Sequence, residues 1–268
     1  MKRLTGVVKS QKERIFCRVF LCFTPIILTC IFPALGITLG SILPDSCTIL
    51  WDNTLRVSYD SVLSVVPQVI ANGDTVNLIW FGDPTFGGNP SNGGILYCHS
   101  FDGGQVFTPQ VQLLNYLQSS GNHGSLAISG RYLYVLYVNR KDSPIVYSLA
   151  VLRSTNAGLS WQLPILLGDY SPGAIAARDS NVYVYCSYVE NNLARGAIMV
   201  SHDYGISWNI INNSIPPRVS NAELMATSNE LHIVRDKGIQ GGSQEVLYMR
   251  SSDLGLTWTS SETLSVND

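Results

Sequence analysis

One chemically equipped phrase recurs along this chain. In Ser251-Ser252-Asp253-Leu254-Gly255-Leu256-Thr257-Trp258 a carboxylate stands two residues after one hydroxyl and four before another. Ser201-His202-Asp203-Tyr204-Gly205-Ile206-Ser207-Trp208 repeats it, and Ser154-Thr155-Asn156-Ala157-Gly158-Leu159-Ser160-Trp161 carries Asn for Asp. Ser100-Phe101-Asp102-Gly103-Gly104-Gln105-Val106-Phe107 keeps the first half and ends in Val-Phe. Oxygen atoms so placed either hold a turn by bonding their own backbone or bind a ligand or metal. The turn is the expected use, because the four histidines are scattered and supply no metal cluster. The Gly-rich stretch Gly82–Pro90 lacks the Gly-Lys-Ser/Thr ending of a phosphate loop. The residues thus predict no metal and no cofactor.

The elements around these phrases are β-rich. The copies start at 100, 154, 201 and 251, that is 54, 47 and 50 residues apart, a spacing that marks a repeat architecture. Each copy follows one strand-like run and precedes another, so each reads as a hairpin turn. Its Gly supplies a positive φ where a Cβ would clash, and its Trp opens the next strand and carries apolar area into the core. Runs such as Leu133–Val138 and Val182–Cys186 are nearly continuous in β-branched and aromatic residues, as in strands covered on both faces. Helical periodicity is absent after residue 44.

These phrases match the Asp-box, or BNR repeat, and residues 50 to 268 resemble the sialidase-like β-propellers. The resemblance implies an all-β propeller whose boxes join the third and fourth strands of each blade, on the face away from the active site. It gives Asp102, Asn156, Asp203, Asp253, Trp161, Trp208 and Trp258 a structural role. Four blades follow, from about 64 to 114, 125 to 167, 174 to 211 and 223 to 264. Six is the usual count for sialidases. Four therefore implies an incomplete six-bladed ring with exposed faces that self-associates, a ring completed by a partner, or a small closed propeller.

The same resemblance points to a site on the opposite face. The run Tyr134–Asp142, followed by Val151-Leu152-Arg153-Ser154, is similar to the family's strand, Arg, Asp-loop and Arg-Ser-x-Asp order. Asn221-Ala222-Glu223 followed by Arg235 resembles its Glu–strand–Arg pairing at a shorter spacing. By that analogy Arg140 and Arg235 grip a sugar carboxylate as forks, Asp142 is the acid, and Glu223 polarises a nucleophilic Tyr. The family's first-blade Arg-Ile-Pro is missing. Its nearest equivalents are Asn122-His123-Gly124 and Val66-Pro67-Gln68, and no Tyr among thirteen is assignable. The reading is consequently a noncatalytic glycan- or protein-binding domain, with an exo-acting glycoside hydrolase of sialidase type as the alternative.

Residues 1–18 are basic (Lys2, Arg3, Lys9, Lys12, Arg14, Arg18), and 19–44 hold no charge. An apolar run long enough to span a bilayer with cations before it predicts a cytoplasmic lead and an exported body. The long lead favours a membrane anchor. Pro25, Pro33 and small-residue sites near Gly36 and Gly40 leave a cleaved signal peptide and a secreted body as the other outcome. Residues 45–62 link this segment to the body at 63–268 and supply a first outer strand near Trp51–Ser58. Only 13% of residues are charged against 46% apolar, which excludes disorder, and the acidic body excludes nucleic acid as a general partner. Cys98 and Cys186 fall in different blades and read as small core hydrophobes.

Overall fold

The computed structural model describes residues 54–58, 63–84, 93–142, 144–218, 221–238 and 244–265. The lead, the apolar run and Trp51 lie outside the described residues. Among those described, no helix is long and apolar enough to cross a membrane. The chain divides into two compact units, Met1–Arg56 and Val57–Asp268, and the second carries all that follows.

That unit is built of four antiparallel sheets of four strands, each a meander in chain order. Blade 1 holds β1 (Leu63–Asn72), β2 (Thr75–Asp83), β3 (Gly94–Ser100) and β4 (Val111–Asn115). Blade 2 holds β5 (Ser119–Ser129), β6 (Tyr132–Asp142), β7 (Ile145–Ser154) and β8 (Ile165–Gly168). Blade 3 holds β9 (Ser171–Arg178), β10 (Asn181–Glu190), β11 (Leu193–Ser201) and β12 (Asn209–Ile215). Blade 4 holds β13 (Ala222–Ala226), β14 (Leu231–Gly238), β15 (Gln244–Ser251) and β16 (Glu262–Thr263).

The second strands show why the sheets stack. Val182 to Cys186 of β10 are all buried, as are Leu133 to Tyr137 of β6. Side chains alternate across a strand, so these two strands each feed two cores. Leu133, Val135 and Tyr137 join Ile79, Ile95 and Tyr97 of blade 1. Tyr134 and Leu136 join Val182, Val184 and Met199 of blade 3. Tyr183, Tyr185 and Ile198 face Leu224, Ile233 and Met249 of blade 4. Blade 1's other face gathers Trp80, Leu96 and Cys98, with Val57 packed against them. Val57 therefore helps cover a blade face, and residues 54–58 carry no strand.

Inner strands pack in sequence, β1 beside β5, β5 beside β9 and β9 beside β13. Among the described residues, β13 and β1 do not pack in this way. The outer strands begin later than their Trp residues suggest. Trp161 and Trp258 are each followed by a backbone bond back across the hairpin, Gln162 N–H to Arg153 O (2.8 Å) and Thr259 N–H to Arg250 O (2.9 Å). Their strands resume only at Ile165 and Glu262. Trp161, Trp208 and Trp258 are half-buried at the margins of the three inter-blade clusters.

Candidate functional site

The two ends of the blades differ in chemistry. At one end lie the repeated turns, between third and fourth strands. The Ser201 hydroxyl donates to Asp203 Oδ1 (2.7 Å) and accepts the Gly205 N–H (2.7 Å). Asp203 Oδ1 also accepts the amides of Ile206 and Ser207, and Oδ2 accepts the Ser207 hydroxyl at 2.6 Å. Asp253 accepts the Ser251 hydroxyl and both the amide and the hydroxyl of Thr257. Asp102 keeps the Ser100 hydroxyl and the amides of Gln105 and Val106. Asn156 accepts the Ser160 N–H and donates to the Ser160 hydroxyl. The Thr257 hydroxyl, ahead of its amide and of Ser251, holds Asp253 down to about 2. Ser207 holds Asp203 below the usual carboxylate range in the same way. The indoles of Trp208 and Trp258 donate to Gly205 O and Gly255 O, both at 3.1 Å. With their oxygens committed to local donors, these carboxylates serve the turn. Among the described residues no group of three or more His, Cys, Asp or Glu could hold a metal.

Each turn needs two left-handed residues rather than the one expected from the Gly. Ala157, Tyr204 and Leu254 precede the glycines with φ of 57°, 60° and 56°. The amides of Gly103, Ala157 and Tyr204 donate to Asp74 O, Arg131 O and Ser180 O. Each is thereby fastened to the turn between the first and second strands of its own blade.

The opposite end holds the residues expected to do chemistry. Strand register puts Arg140, Asp142, Glu223 and Arg235 near that end. Asp142 pairs with Ile145 at the tip of the β6–β7 hairpin, and Ala222 pairs with Arg235. Arg140 belongs to blade 2, Glu223 and Arg235 to blade 4, and the Asp142 side chain lies outside the described residues. Arg140 is half-buried on the blade 3 side of β6, and its amide donates to Gln118 O (3.0 Å). Arg235 is 6% exposed. Its NH1 donates to Pro217 O and Asp236 O, both at 3.3 Å, and its NH2 to the Ser261 hydroxyl at 3.4 Å. Glu223 pairs with Val234, one step out of phase with Arg235, so it projects from the other face of blade 4 and is exposed.

A further cation, Arg218, sits closer to the axis. A cavity of about 70 Å³ is lined by Val66, Gln68, Ser125, Gly173, Arg218 and Glu223, among others. Arg218 follows Pro216-Pro217 in the link between blades 3 and 4, a position only the fold reveals as axial. Burial pulls it down, against the nearby Asp236 and Tyr185. Asp236 accepts the Asn221 amide at 2.9 Å. Val66 and Gln68, at the bulge of β1, line this cavity without bringing a cation. Tyr185, which feels the charges of both Arg235 and Arg218, donates its hydroxyl to Pro216 O at 2.7 Å, and burial pushes its proton affinity up.

No protein-family model matches the sequence, and no curated protein matches it. Solved structures do resemble the fold. Trypanosoma rangeli sialidase, solved in complex with sialic acid, superposes with a TM-score of 0.55 and 16% identity over 73% of this chain and 37% of that one. The NanB sialidase of Streptococcus pneumoniae gives 0.56 and 12% identity over 79% and 54%. The intramolecular trans-sialidase of Ruminococcus gnavus gives 0.56 and 11% over 78% and 73%. The chain thus spans less than two fifths of the T. rangeli enzyme. The likeness is one of architecture: the body has the sialidase-like β-propeller fold, all-β and four-bladed.

Proposed function

We propose that this sialidase-like propeller is a noncatalytic recognition domain, displayed outside the cytoplasm on a membrane anchor formed by residues 19–44 and binding a glycan or protein ligand. The observation that carries the reading is the use made of Arg235. Its NH1 bonds the backbone carbonyls of Pro217, in the link from blade 3, and Asp236, and its NH2 bonds the Ser261 hydroxyl, so it braces blade 4 against that link rather than presenting a fork to solvent. A nucleophilic Tyr must lose its proton to a neighbouring base, whereas Tyr185 spends its proton on a carbonyl.

The test is hydrolysis of a fluorogenic sialoside by the purified chain. No turnover is expected, and Arg235→Ala is expected to lower the melting temperature. Robust turnover that disappears in Arg235→Ala and Asp142→Ala would instead establish the exo-acting, sialidase-type hydrolase. Placement is tested separately by adding protease to intact cells. The body should be digested without lysis, and protection until lysis would reject the exported topology.

A further inference from the structure

We propose that the face of blade 4 turned away from blade 3 is a binding platform for a neutral pyranose sugar, with Tyr248 as its aromatic floor. This shares its ligand class with the function proposed above but uses a different surface from the axial cavity, so the two can fail independently.

Directly paired residues in an antiparallel sheet share a face. His232 pairs with Arg250, Val234 with Tyr248, and Tyr248 with Glu262, so these side chains stand on one surface. The Tyr248 ring is fixed there by a chain of contacts. Its hydroxyl lies 2.8 Å from His232 Nδ1, and the two rings are nearly parallel, 6.1 Å apart at 20°. His232 Nε2 lies 3.4 Å from Glu230 Oε2, and the other oxygen of that carboxylate is 3.5 Å from Arg250 NH1. Glu230 can only accept, which assigns the imidazole proton to Nε2 and leaves Nδ1 to accept from Tyr248. The aromatic floor is thus held in place before any ligand arrives, which reduces the ordering cost of binding.

Beside this floor lies an open depression of about 530 Å³, lined by Tyr248, Arg250, Thr259, Ser260, Ser261 and Glu262. Its size suits one or two sugar rings. Its chemistry is one aromatic surrounded by hydroxyls and a carboxylate. The electron-rich face of a Tyr attracts the positively polarised C–H bonds on the flat side of a pyranose, and the rim can exchange hydrogen bonds with ring hydroxyls. Two of the rim hydroxyls already accept from the protein. Thr259 Oγ1 accepts the Arg250 amide at 3.0 Å, and Ser261 Oγ accepts from Arg235 at 3.4 Å. Each therefore has a proton to give. Charge selects among sugars. Arg250 is answered by Glu230, so Glu262 leaves the rim negative and an anionic sugar is repelled. An extended peptide is the weaker fit, because strand addition needs an edge and β16 offers two residues, Glu262–Thr263.

The experiment is saturation-transfer NMR on the full chain in a sugar-free detergent, with lactose, cellotriose, maltotriose and chitotriose as neutral probes and 3′-sialyllactose as the anionic one. At least one neutral probe should bind, sialyllactose more weakly than lactose. Tyr248→Ala should weaken binding about tenfold or more, and Tyr248→Phe should weaken it less. If Tyr248→Ala does not fold, the rim variant Glu262→Ala serves instead and should lower affinity measurably. Binding by no neutral probe, binding indifferent to the substitution that folds, or preference for sialyllactose overturns the proposal. So does a concentration-dependent oligomer that Tyr248→Ala dissolves, since a second copy would then occupy the face. Sialoside turnover with intact Tyr248-dependent lactose binding would remove the noncatalytic reading alone. Loss of sugar binding without turnover would remove this site alone.

Discussion

Asp203 and Asn156 occupy the same place in successive turns and hold it with different atoms. The carboxylate accepts everything offered, whereas the amide accepts one N–H and donates to the Ser160 hydroxyl. Asp203→Asn should therefore keep the turn, while Asp203→Ala should cost about 1–2 kcal/mol by stranding two amides and two hydroxyls. The two differ in acid. Because hydrogen bonds depress Asp203 and Asp253 in the folded chain, folding is favoured fully above the unfolded carboxylate range. That contribution fades as pH falls from about 4 through the folded values, the side on which the unfolded chain binds more protons. Urea melts between pH 6 and pH 2 should show a shallower acid loss in Asp203→Asn than in the wild type. An equal slope would mean that Asp203 bears no part of it. The turn residues were legible in the sequence because their partners are within four positions. The inward course of Arg235 was not, since it depends on Pro217 and Ser261, reached only once the blade is folded.

At the scale of the blade, the turn glycines also set how closely neighbours approach. A Cβ at Gly158, whose φ is +85°, would fall on the Tyr97 hydroxyl of blade 1, and one at Gly205 would come within 3.0 Å of Tyr134 of blade 2. Each repeated turn is therefore seated against the preceding blade. Gly158→Ala should destabilise by about 2–4 kcal/mol, combining the left-handed penalty with overpacking. Tyr97→Phe removes the colliding hydroxyl together with its 2.7 Å bond to buried Asn77, so the double variant should lose less than the sum of the two single changes. Full additivity of the two changes in denaturant would reject the contact. Strand existence was readable from alternation and β-branched runs, and Gly94–Ser100 matched to the residue. The outer strands were not, because a Trp opening a strand and a Trp tucked beside one leave the same mark in a sequence.

Across the whole molecule, coverage is uneven. Blades 2 and 3 are packed on both faces, whereas blade 4 leaves Met225, Val234 and Val246 exposed at 57%, 38% and 41%. Backbone amides of β6 and β10 should consequently exchange with deuterium last, and those of β14 and β15 well before them. Equal protection of β14 and β10 would show that the open face of blade 4 is covered in solution. The repeat spacing made four units evident from sequence. Whether consecutive units close a ring depends on the β13–β1 junction, which no local pattern encodes.

The order of strands in each sheet has a bearing on synthesis. Every blade is a continuous meander of neighbouring strands, so no strand waits for a pairing partner from a later part of the chain. As the polypeptide leaves the ribosome or a translocation pore, blade 1 can finish its hydrogen bonding before blade 2 has emerged, and each later blade finds a finished surface to settle on. Long-range loop closure, the slow step for most β-proteins, is replaced by successive short ones. The newest blade is always the one with a bare face, and it is the one a chaperone would meet.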